Sequence, residues 1–530
     1  MKIKKNGNFK SIDEYIKSKF VDAKQYHSYP YMDEAVKLFI KHIDNDSKIV
    51  VYGDYDADGI TSLLIFNLIK EATNADIELI APDRFSDGYG LNMTRAESFV
   101  NDNVNLVVLV DNGIVACDEV SYLVANNIDV IVLDHHEGQT NYVRNDTHVV
   151  VCDPHVTGGE FDDLCGAGLS YMFLLECKHK HISFSEEILN TANVLSMIGT
   201  VADMVSMTSD NHKIVKDGLD LFNNNKKINP VLRNFILSCS KNNITEEDIA
   251  FKVAPVFNAM GRLIEFGASE VVALLSKNVL SDEIYEKTDK IIKTNEIRKE
   301  MVNNYFSKLD TKVFNDDTTC IVVKDNEIPA GICGLLASKF VEKYNRPAIV
   351  LSGTEILKGS ARSCGNINLF DALTSVNKYF ISYGGHKEAC GLSLRASDYN
   401  YFVRDINICV PRTVPSDVMF YDIYFDGNNP KEIVDTLNKY APFGVGFEKP
   451  RFLMKFNKDG IKKVQVMGKL NEHVKFIVND TCVVKFNHNG NCSSDNYVAI
   501  GNLSVNEFKG TKTYQLNAYF LEKEDKCKIE

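Results

Sequence analysis

Three aspartates at alternate positions, Asp54, Asp56 and Asp58, come directly after the apolar run Lys48-Ile-Val-Val-Tyr52. A second cluster, Asp134-His135-His136, closes another such run, Asp129-Val-Ile-Val-Leu133. Carboxylates and imidazoles together are the donors of a hydrolytic metal site. If the chain leaves its strand in extended conformation, the three carboxylates cannot splay apart freely. Like charges that close raise each other's pKa unless cations sit between them. The competing reading of Asp54-Tyr-Asp-Ala-Asp58 is an Asp/Gly-rich turn of the kind that ends many strands.

The same geometry recurs along the chain, which is what elements positioning one site would require. Leu106-Val-Val-Leu-Val110 is a further buried-strand run and ends in Asp111-Asn-Gly113. Each acidic group therefore stands at a strand's carboxyl end, the edge of an open parallel sheet where ligands bind. Asp203 lies in the apolar segment Ser196-Met-Ile-Gly-Thr-Val-Ala-Asp-Met-Val205. An unpartnered carboxylate is costly to bury there, and a metal would serve as partner. Between these runs, Thr61-Ser-Leu-Leu-Ile-Phe-Asn-Leu-Ile-Lys70 has helical apolar spacing, and Ile77-Glu-Leu-Ile-Ala81 and residues 148–152 read as strand. The alternation predicts a doubly wound parallel sheet.

Residues 186–312 are mainly helical in pattern and end in the charged stretch Asp282 to Met301, expected as a long solvated helix bridging two domains. A second α/β unit begins near Thr318. Beyond Pro442-Phe-Gly-Val-Gly446 come short alternating strands at 461–466, 474–478, 482–486, 497–500 and 514–519, the pattern of a small barrel or sandwich.

At 530 residues the chain exceeds one core and suggests three or so domains. No stretch approaches the length of a membrane span, and Met1-Lys-Ile-Lys-Lys-Asn-Gly7 lacks the apolar core of a signal peptide, so the expectation is a cytoplasmic protein with no membrane contact. Its 13 cysteines are scattered without Cys-x-x-Cys spacing, which indicates neither a disulfide framework nor structural zinc, and Cys152 and Cys390 read as buried hydrophobes. The net charge of −13 taken alone argues against a polyanion partner. Its distribution softens the objection: residues 448–530 carry 14 basic and 10 acidic side chains, so the rest holds −17, part of it the acidic cluster that divalent cations would neutralise.

Tyr52-Gly-Asp-Tyr-Asp-Ala-Asp-Gly-Ile-Thr-Ser62, Val110-Asp-Asn-Gly-Ile114, Leu133-Asp-His-His136 and Gly199-Thr-Val-Ala-Asp203 resemble, in order, the four signature motifs of the DHH phosphoesterase superfamily. Ala81-Pro-Asp-Arg-Phe-Ser-Asp-Gly-Tyr-Gly-Leu91, Phe257-Asn-Ala-Met-Gly-Arg-Leu263, Gly331-Ile-Cys-Gly-Leu-Leu-Ala-Ser338, Gly359-Ser-Ala-Arg-Ser363 and Tyr383-Gly-Gly-His-Lys-Glu-Ala-Cys-Gly-Leu392 resemble the RecJ branch, the single-strand-specific exonucleases. Motifs this numerous are far more specific than any one of them. The resemblance implies an α/β fold: an N-terminal extension (1–45), a parallel-sheet DHH domain (46–280), a linker helix (281–312), a DHH-associated α/β domain (313–412) and a C-terminal β-barrel of the OB-fold type (413–530).

The donor set, rich in oxygen, mixed with imidazole and free of thiolate, suits two divalent cations, Mn²⁺ or Mg²⁺, better than structural zinc. Asp56, Asp58, Asp111, His135 and Asp203 are the expected ligands, with Asp111 bridging. Asp54 is either a ligand or an orienter of ligands, His136 is expected to donate to the scissile phosphate or leaving oxygen, and Asp134 to fix the imidazoles. Arg84, Arg262, Ser360 and Arg362 match family positions that grip a 5′ phosphate; without the resemblance, each arginine would read as a solvated surface residue. Tyr89 is expected to stack on a base, Asn258 to contact the nucleic-acid backbone or support a turn, and His386, after two glycines, to touch substrate, against the plain alternative of a surface histidine. Among the aromatics of the barrel, Phe476, Phe486, Tyr497, Tyr514 and Tyr519, core packing is the favoured role over strand binding.

The implied activity is 5′-to-3′ digestion of single-stranded DNA to 5′ mononucleotides, in repair, recombination or replication. The chain would act as a monomer on a strand's 5′ end, with a single-strand-binding protein or a helicase as candidate partner. The alternatives are a phosphodiesterase of short oligonucleotides or cyclic dinucleotides, whose members lack the C-terminal barrel, and a non-catalytic replication scaffold, in which metal motifs are broken. Two departures stand out: Asn112 replaces a common Cys, and Asp153-Pro-His155 replaces a common Asn-Pro.

Overall fold

The computed structural model describes residues 1–7, 9–138, 141–240, 243–311, 317–412, 418–468, 472–488, 495–508 and 511–529. They form two compact units, one of residues 27–203 and 217–415, the other of residues 1–26, 204–216 and 416–530.

The larger unit is built on a five-stranded sheet in the order Ile77–Ile80, Ile49–Tyr52, Leu106–Val110, Asp129–Leu133, Val149–Cys152, parallel throughout. The three central strands are buried along their whole length, which is why they read as unbroken Val, Ile and Leu rather than as alternating patterns. Strand order reverses beside Ile49–Tyr52, so a crevice opens between its carboxyl end and that of Leu106–Val110. Helix Ala57–Thr73 leaves that edge and is buried on nearly every face, packed against helices Gly166–His179 and Glu186–Asp203. The rings of Phe39, Phe66 and Phe173, with centroids 5.2 to 6.0 Å apart, fill the layer between. At the opposite end of the sheet the buried Asp129 carboxylate takes His42 Nε2 at 2.9 Å and His148 Nδ1 at 2.6 Å, pinning the start of the strand that carries Asp134, His135 and His136 at its other end.

The 28-residue helix Asp282–Leu309 is charged on most faces, yet buries a stripe of Ile284, Thr288, Ile291, Thr294 and Asn295 against the same unit. After it comes a second sheet in the order Phe380–Gly385, Ala389–Arg395, Ile356–Arg362, Ala348–Ser352, Ile321–Lys324, with only the last pair parallel. Its two faces are covered by separate clusters, one around Leu351, Leu394 and Phe402, the other around Leu336, Phe340 and Val350.

In the smaller unit, seven strands run in the order Ile423–Phe425, Phe452–Asn457, Asn496–Phe508, Thr511–Lys523, Thr481–Lys485, His473–Val478, Ile461–Met467. Two are 13 residues long, more than twice the lengths the alternation of residues 497–500 and 514–519 suggests, because their pairing continues as a hairpin past the segment where side chains alternate cleanly. Phe476 and Tyr497 are core residues, whereas Phe486 and Tyr519 are exposed. Strand Lys2–Lys5 lies between Val418–Tyr421 and Lys528–Ile529, parallel to both, so the chain's first residues belong with its last. Among the described residues no helix is long and apolar enough to cross a membrane, and the cysteines are free.

Candidate metal centre

The three aspartates after Ile49–Tyr52 are not strung out in extended conformation, as the alternate spacing suggested. Asp56 caps helix Ala57–Thr73, its Oδ1 accepting the Asp58 and Gly59 N–H groups at 3.0 and 3.2 Å, so Asp58 already lies in the first turn. The helix dipole and these open amides favour a carboxylate at that position, and this local stabilisation overrides the strand's momentum. Asn258 Oδ1 accepts the Ala57 N–H at 2.8 Å and so braces the same turn. Asp58 reaches across to a second helix start, accepting from Gly166 N at 2.7 Å and Ala167 N at 2.9 Å. A Cβ on Gly166 would lie 2.5 Å from Asp111 Cβ, and one on Gly199 would lie 2.5 Å from Asp58 Oδ1. Close approach of backbone to carboxylate is what these two glycines permit. Cys165-Gly-Ala-Gly168 was a legible signal for the first of them, a run of small residues just ahead of an apolar helix.

Asp111 follows its strand with φ +60, a left-handed conformation that Asp tolerates better than most residues. The neighbouring Asn112 donates from Nδ2 to Val110 O at 2.9 Å and Tyr52 O at 3.3 Å, tying two strand ends together. His135 Nε2 lies 3.2 Å from Asp111 Oδ1 and 3.8 Å from both Asp58 Oδ2 and Asp203 Oδ2. Ligand-capable atoms fall into three overlapping groups, each within 4.8 Å: Asp54, Asp56 and Asp111; Asp58, His135 and Asp203; Asp111, His135 and His136. The six expected ligands are thus brought together with His136 beside them, and Asp111 and His135 are each common to two of the groups.

Electrostatics explain why such a cluster requires cations. Burial, then the charges of Asp58, Asp56, Asp54 and Asp203, pushes the Asp111 carboxyl well above its ordinary range. Burial and Asp58 do the same to Asp203, and burial and Asp56 raise Asp54 to about 8. Asp54 Oδ1 is buried with no hydrogen-bond partner among the described residues. Oxygen donors held at close quarters, one of them orphaned, fit divalent ions. A carboxyl whose folded pKa is raised contributes stability below its unfolded value near 4, and that contribution is lost as pH rises through the folded value. Stripped by a chelator, the protein should therefore lose melting temperature steadily from about pH 5 to about pH 8, and the rise on adding Mn²⁺ should widen over the same interval. A gap that stays constant across those titrations by scanning calorimetry would contradict this account.

Asp134 is not in the donor cluster but behind it. Its oxygens accept from Ile114 N (2.9 Å), His135 N (2.8 Å) and His136 Nδ1 (2.7 Å). Burial opposes its charge, but the His136 hydrogen bond, the two imidazoles and the Ile114 amide hold the carboxyl at about 2. Burial likewise opposes charge on His136, and Asp134 more than offsets it, raising the imidazole to about 9, whereas burial and the adjacent His136 lower His135. The two adjacent imidazoles are thus pushed in opposite directions, His135 toward the neutral form and His136 toward the charged one. The Tyr89 hydroxyl, on a loop between Gly88 and Gly90 with φ +81 and +72, lies 3.0 Å from His136 Nε2.

The expected end-gripping residues lie in the same unit. Arg84 stacks on Tyr55 at 3.8 Å and donates from Nε to Gly261 O at 3.2 Å, and among the described residues the ends of its fork have no hydrogen-bond partner. Arg262 donates to Gly331 O at 3.2 Å, ahead of helix Cys333–Tyr344. A Cβ on Gly334, in that helix's first turn, would lie 2.7 Å from Arg362 Nη2 and 3.5 Å from Ser360 Cβ. Burial and then the charge of Arg84 lower Arg262 to about 10, with Arg298 and Arg362 adding to the repulsion. Arg298, half-buried on the long helix with Nε on Asn295 Oδ1 at 3.0 Å, was not singled out from sequence, because its helix reads as uniformly charged. His386 is exposed, its Nδ1 3.9 Å from Glu137 Oε2.

Comparison with known proteins covers most of the chain. The DHH family N-terminal domain matches residues 48–200, the DHHA1 domain residues 317–410 and the RecJ OB domain residues 427–519. A protein of Bacillus subtilis named single-stranded-DNA-specific exonuclease RecJ is 30% identical over 509 residues, covering 92% of this chain and 62% of its own length. The protein of the same name from Haemophilus influenzae is 26% identical over 554 residues, 97% of this chain and 94% of that one. Among solved structures, RecJ in complex with Mn²⁺ from Thermus thermophilus shares the fold with a TM-score of 0.82 at 24% identity, over 93% of this chain and 72% of that one. An exonuclease RecJ bound to manganese matches with a TM-score of 0.64 at 27% identity, over 73% of this chain and 96% of that one. The chain thus carries DHH, DHHA1 and RecJ OB modules in that order, and over most of its length it is similar to proteins named RecJ.

Proposed function

We propose that this protein is a metal-dependent exonuclease specific for single-stranded DNA, which removes 5′ mononucleotides from a 5′ end. The observation that carries the reading is the convergence, within one compact unit, of seven acidic and imidazole donors and a set of arginines crowded together. Similarity to proteins named RecJ supports the substrate.

Asp56, Asp58, Asp111, His135 and Asp203, with Asp54 as ligand or orienter, would hold two divalent cations, Mn²⁺ or Mg²⁺. When bound, these supply Lewis acidity toward the phosphate and a water acidic enough to attack at neutral pH. The protein's own side chains do the rest. Arg84, Arg262 and Arg362, with Ser360, hold the terminal 5′ phosphate through paired hydrogen bonds, and His386 stands on the substrate side. Charged His136, oriented by Asp134, directs Nε2–H at the scissile phosphate and protonates the departing 3′ oxygen of the terminal nucleotide. Tyr89 gives up its contact with that nitrogen as the phosphate arrives, and its ring becomes available to a base. Cleavage leaves a fresh 5′ phosphate on the shortened strand, the same handle the arginines grip, so removal repeats. Residues 46–280 and 313–412, joined by the helix within 281–312, would carry this chemistry, and 413–530 would hold the strand. The same reading places a monomer in the cytosol, fed with single strands by a helicase or a single-strand-binding protein.

Digestion of DNA strands labelled at one end or the other, single and double, with and without a 5′ phosphate, in Mn²⁺, tests the proposal. The 5′ label should be released first, as mononucleotide, and only from single strands. Release from the 3′ end first, or equal attack on duplex, would reject it.

A further inference from the structure

Asp83, between the strand Ile77–Ile80 and the Gly88-Tyr89-Gly90 loop, is a buried carboxylate with no metal-directed role. Its Oδ2 accepts Ser86 N at 3.0 Å and Ser86 Oγ at 3.1 Å, closing its own loop. Its Oδ1 accepts the N–H of Phe266, far along the chain, at 3.0 Å. One carboxylate therefore fastens two loops together, and each presents a large aromatic ring to solvent: Phe85 is 44% exposed and Phe266 54%. Asp83 is itself steadied by Asp87, which accepts the Asp83 N–H at 2.8 Å and a paired contact from Arg95.

Phe266 is doubly out of place. It is exposed, and it stands at φ +56 ahead of helix Gly267–Leu275, a left-handed conformation that a bulky side chain adopts at a cost of about 1–2 kcal/mol. A glycine would meet that backbone's demand with no such cost. The conformation is secured by the Phe266 amide's hydrogen bond to the buried Asp83, and strained backbone of this kind clusters at ligand-binding sites.

The location names the occupant. Phe85 adjoins Arg84, whose guanidinium is hydrogen-bonded to Gly261 O, and Arg262 and Phe266 follow within the same turn of chain. The two rings thus stand on the segments, joined through Asp83 and Arg84, that also carry Arg84 and Arg262. Cationic groups that take a strand's terminal phosphate, bordered by exposed aromatic faces, match the chemistry of an unstacked nucleotide: phosphate to arginine, base to ring. Resting on the nuclease reading above, we propose that Phe85 and Phe266 are the platforms on which the bases next to the gripped end stack. This contact is open only to a strand whose terminal bases are unpaired, so it adds to the discrimination against duplex.

The test compares, in Mn²⁺, 5′-phosphorylated strands that carry bases throughout with strands abasic at the first two positions. Stacking is worth about 1–3 kcal/mol per base, so the intact enzyme should favour the base-bearing strand by about tenfold or more in kcat/KM, and Phe85→Ala/Phe266→Ala should bring that ratio close to one. Phe266→Gly should shrink the ratio while melting no lower than the parent, since it relieves the left-handed strain, and Phe266→Tyr should restore the preference. A ratio unchanged in the alanine variant assigns the rings to another occupant, such as a protein partner, and overturns this inference alone. An intact enzyme that digests neither strand overturns the nuclease reading and this inference with it.

Discussion

Asp111→Asn should lower turnover about a thousandfold or more, because cations in such a site supply several kcal/mol of transition-state stabilisation and each 1.4 kcal/mol is tenfold in rate. The reason lies in its place: Asp111 is common to the donor group with Asp54 and Asp56 and to the group with His135 and His136, so one change disables both. Asn keeps the shape of the side chain and tolerates φ +60, which Ala would not, so the backbone should stay as it is. Folding should even improve in the absence of metal. The buried Asp111 carboxyl is crowded by Asp58, Asp56, Asp54 and Asp203, and removing its charge relieves that repulsion. The expected signature is therefore a variant with a higher melting temperature in chelator, a much smaller rise on adding Mn²⁺, and almost no product. Turnover within tenfold of the parent would refute the assignment of Asp111 as a shared ligand.

The second large effect belongs to Arg262. Half-buried and repelled by Arg84, Arg298 and Arg362, with Asp56 partly offsetting that repulsion, its guanidinium would be relieved by an anion. Charge-assisted hydrogen bonds are worth about 1.5–3 kcal/mol each, so Arg262→Ala should cost about 10- to 100-fold in kcat/KM on a strand with a 5′ phosphate. On the same strand ending in a 5′ hydroxyl the loss should be small, since no phosphate is there to be held. The ratio of the two rates is the measurement, and a ratio equal to the parent's would show that the guanidinium meets some other part of the substrate.

How much of this was readable in advance depends on how local each cause is. The parallel sheet was legible because three of its strands are uninterrupted apolar runs, and the donors were legible because each closes such a run or, like Asp203, interrupts an apolar segment. The start of helix Ala57–Thr73 was missed by four residues: period-two spacing of carboxylates looks the same whether the chain extends or turns, and only the capping bonds of Asp56 decide. The pairing of Lys2–Lys5 with Val418–Tyr421 leaves no pattern in either segment, since strand registry between remote pieces is set by burial. Arg298 was hidden in a helix charged on most faces, and Phe266 in a stretch whose composition says nothing of its backbone. The arginines at 84, 262 and 362 could be found by resemblance alone, because a solitary arginine has no signature.

The tether on Asp58 has a practical corollary. Two backbone amides orient this carboxylate, at 2.7 and 2.9 Å. Such a cradle is preassembled rather than gathered by its guest, so removal of the guest should leave the vessel standing. Protein emptied by dialysis ought to recover full potency within the time of mixing when ions return, with no lag for refolding.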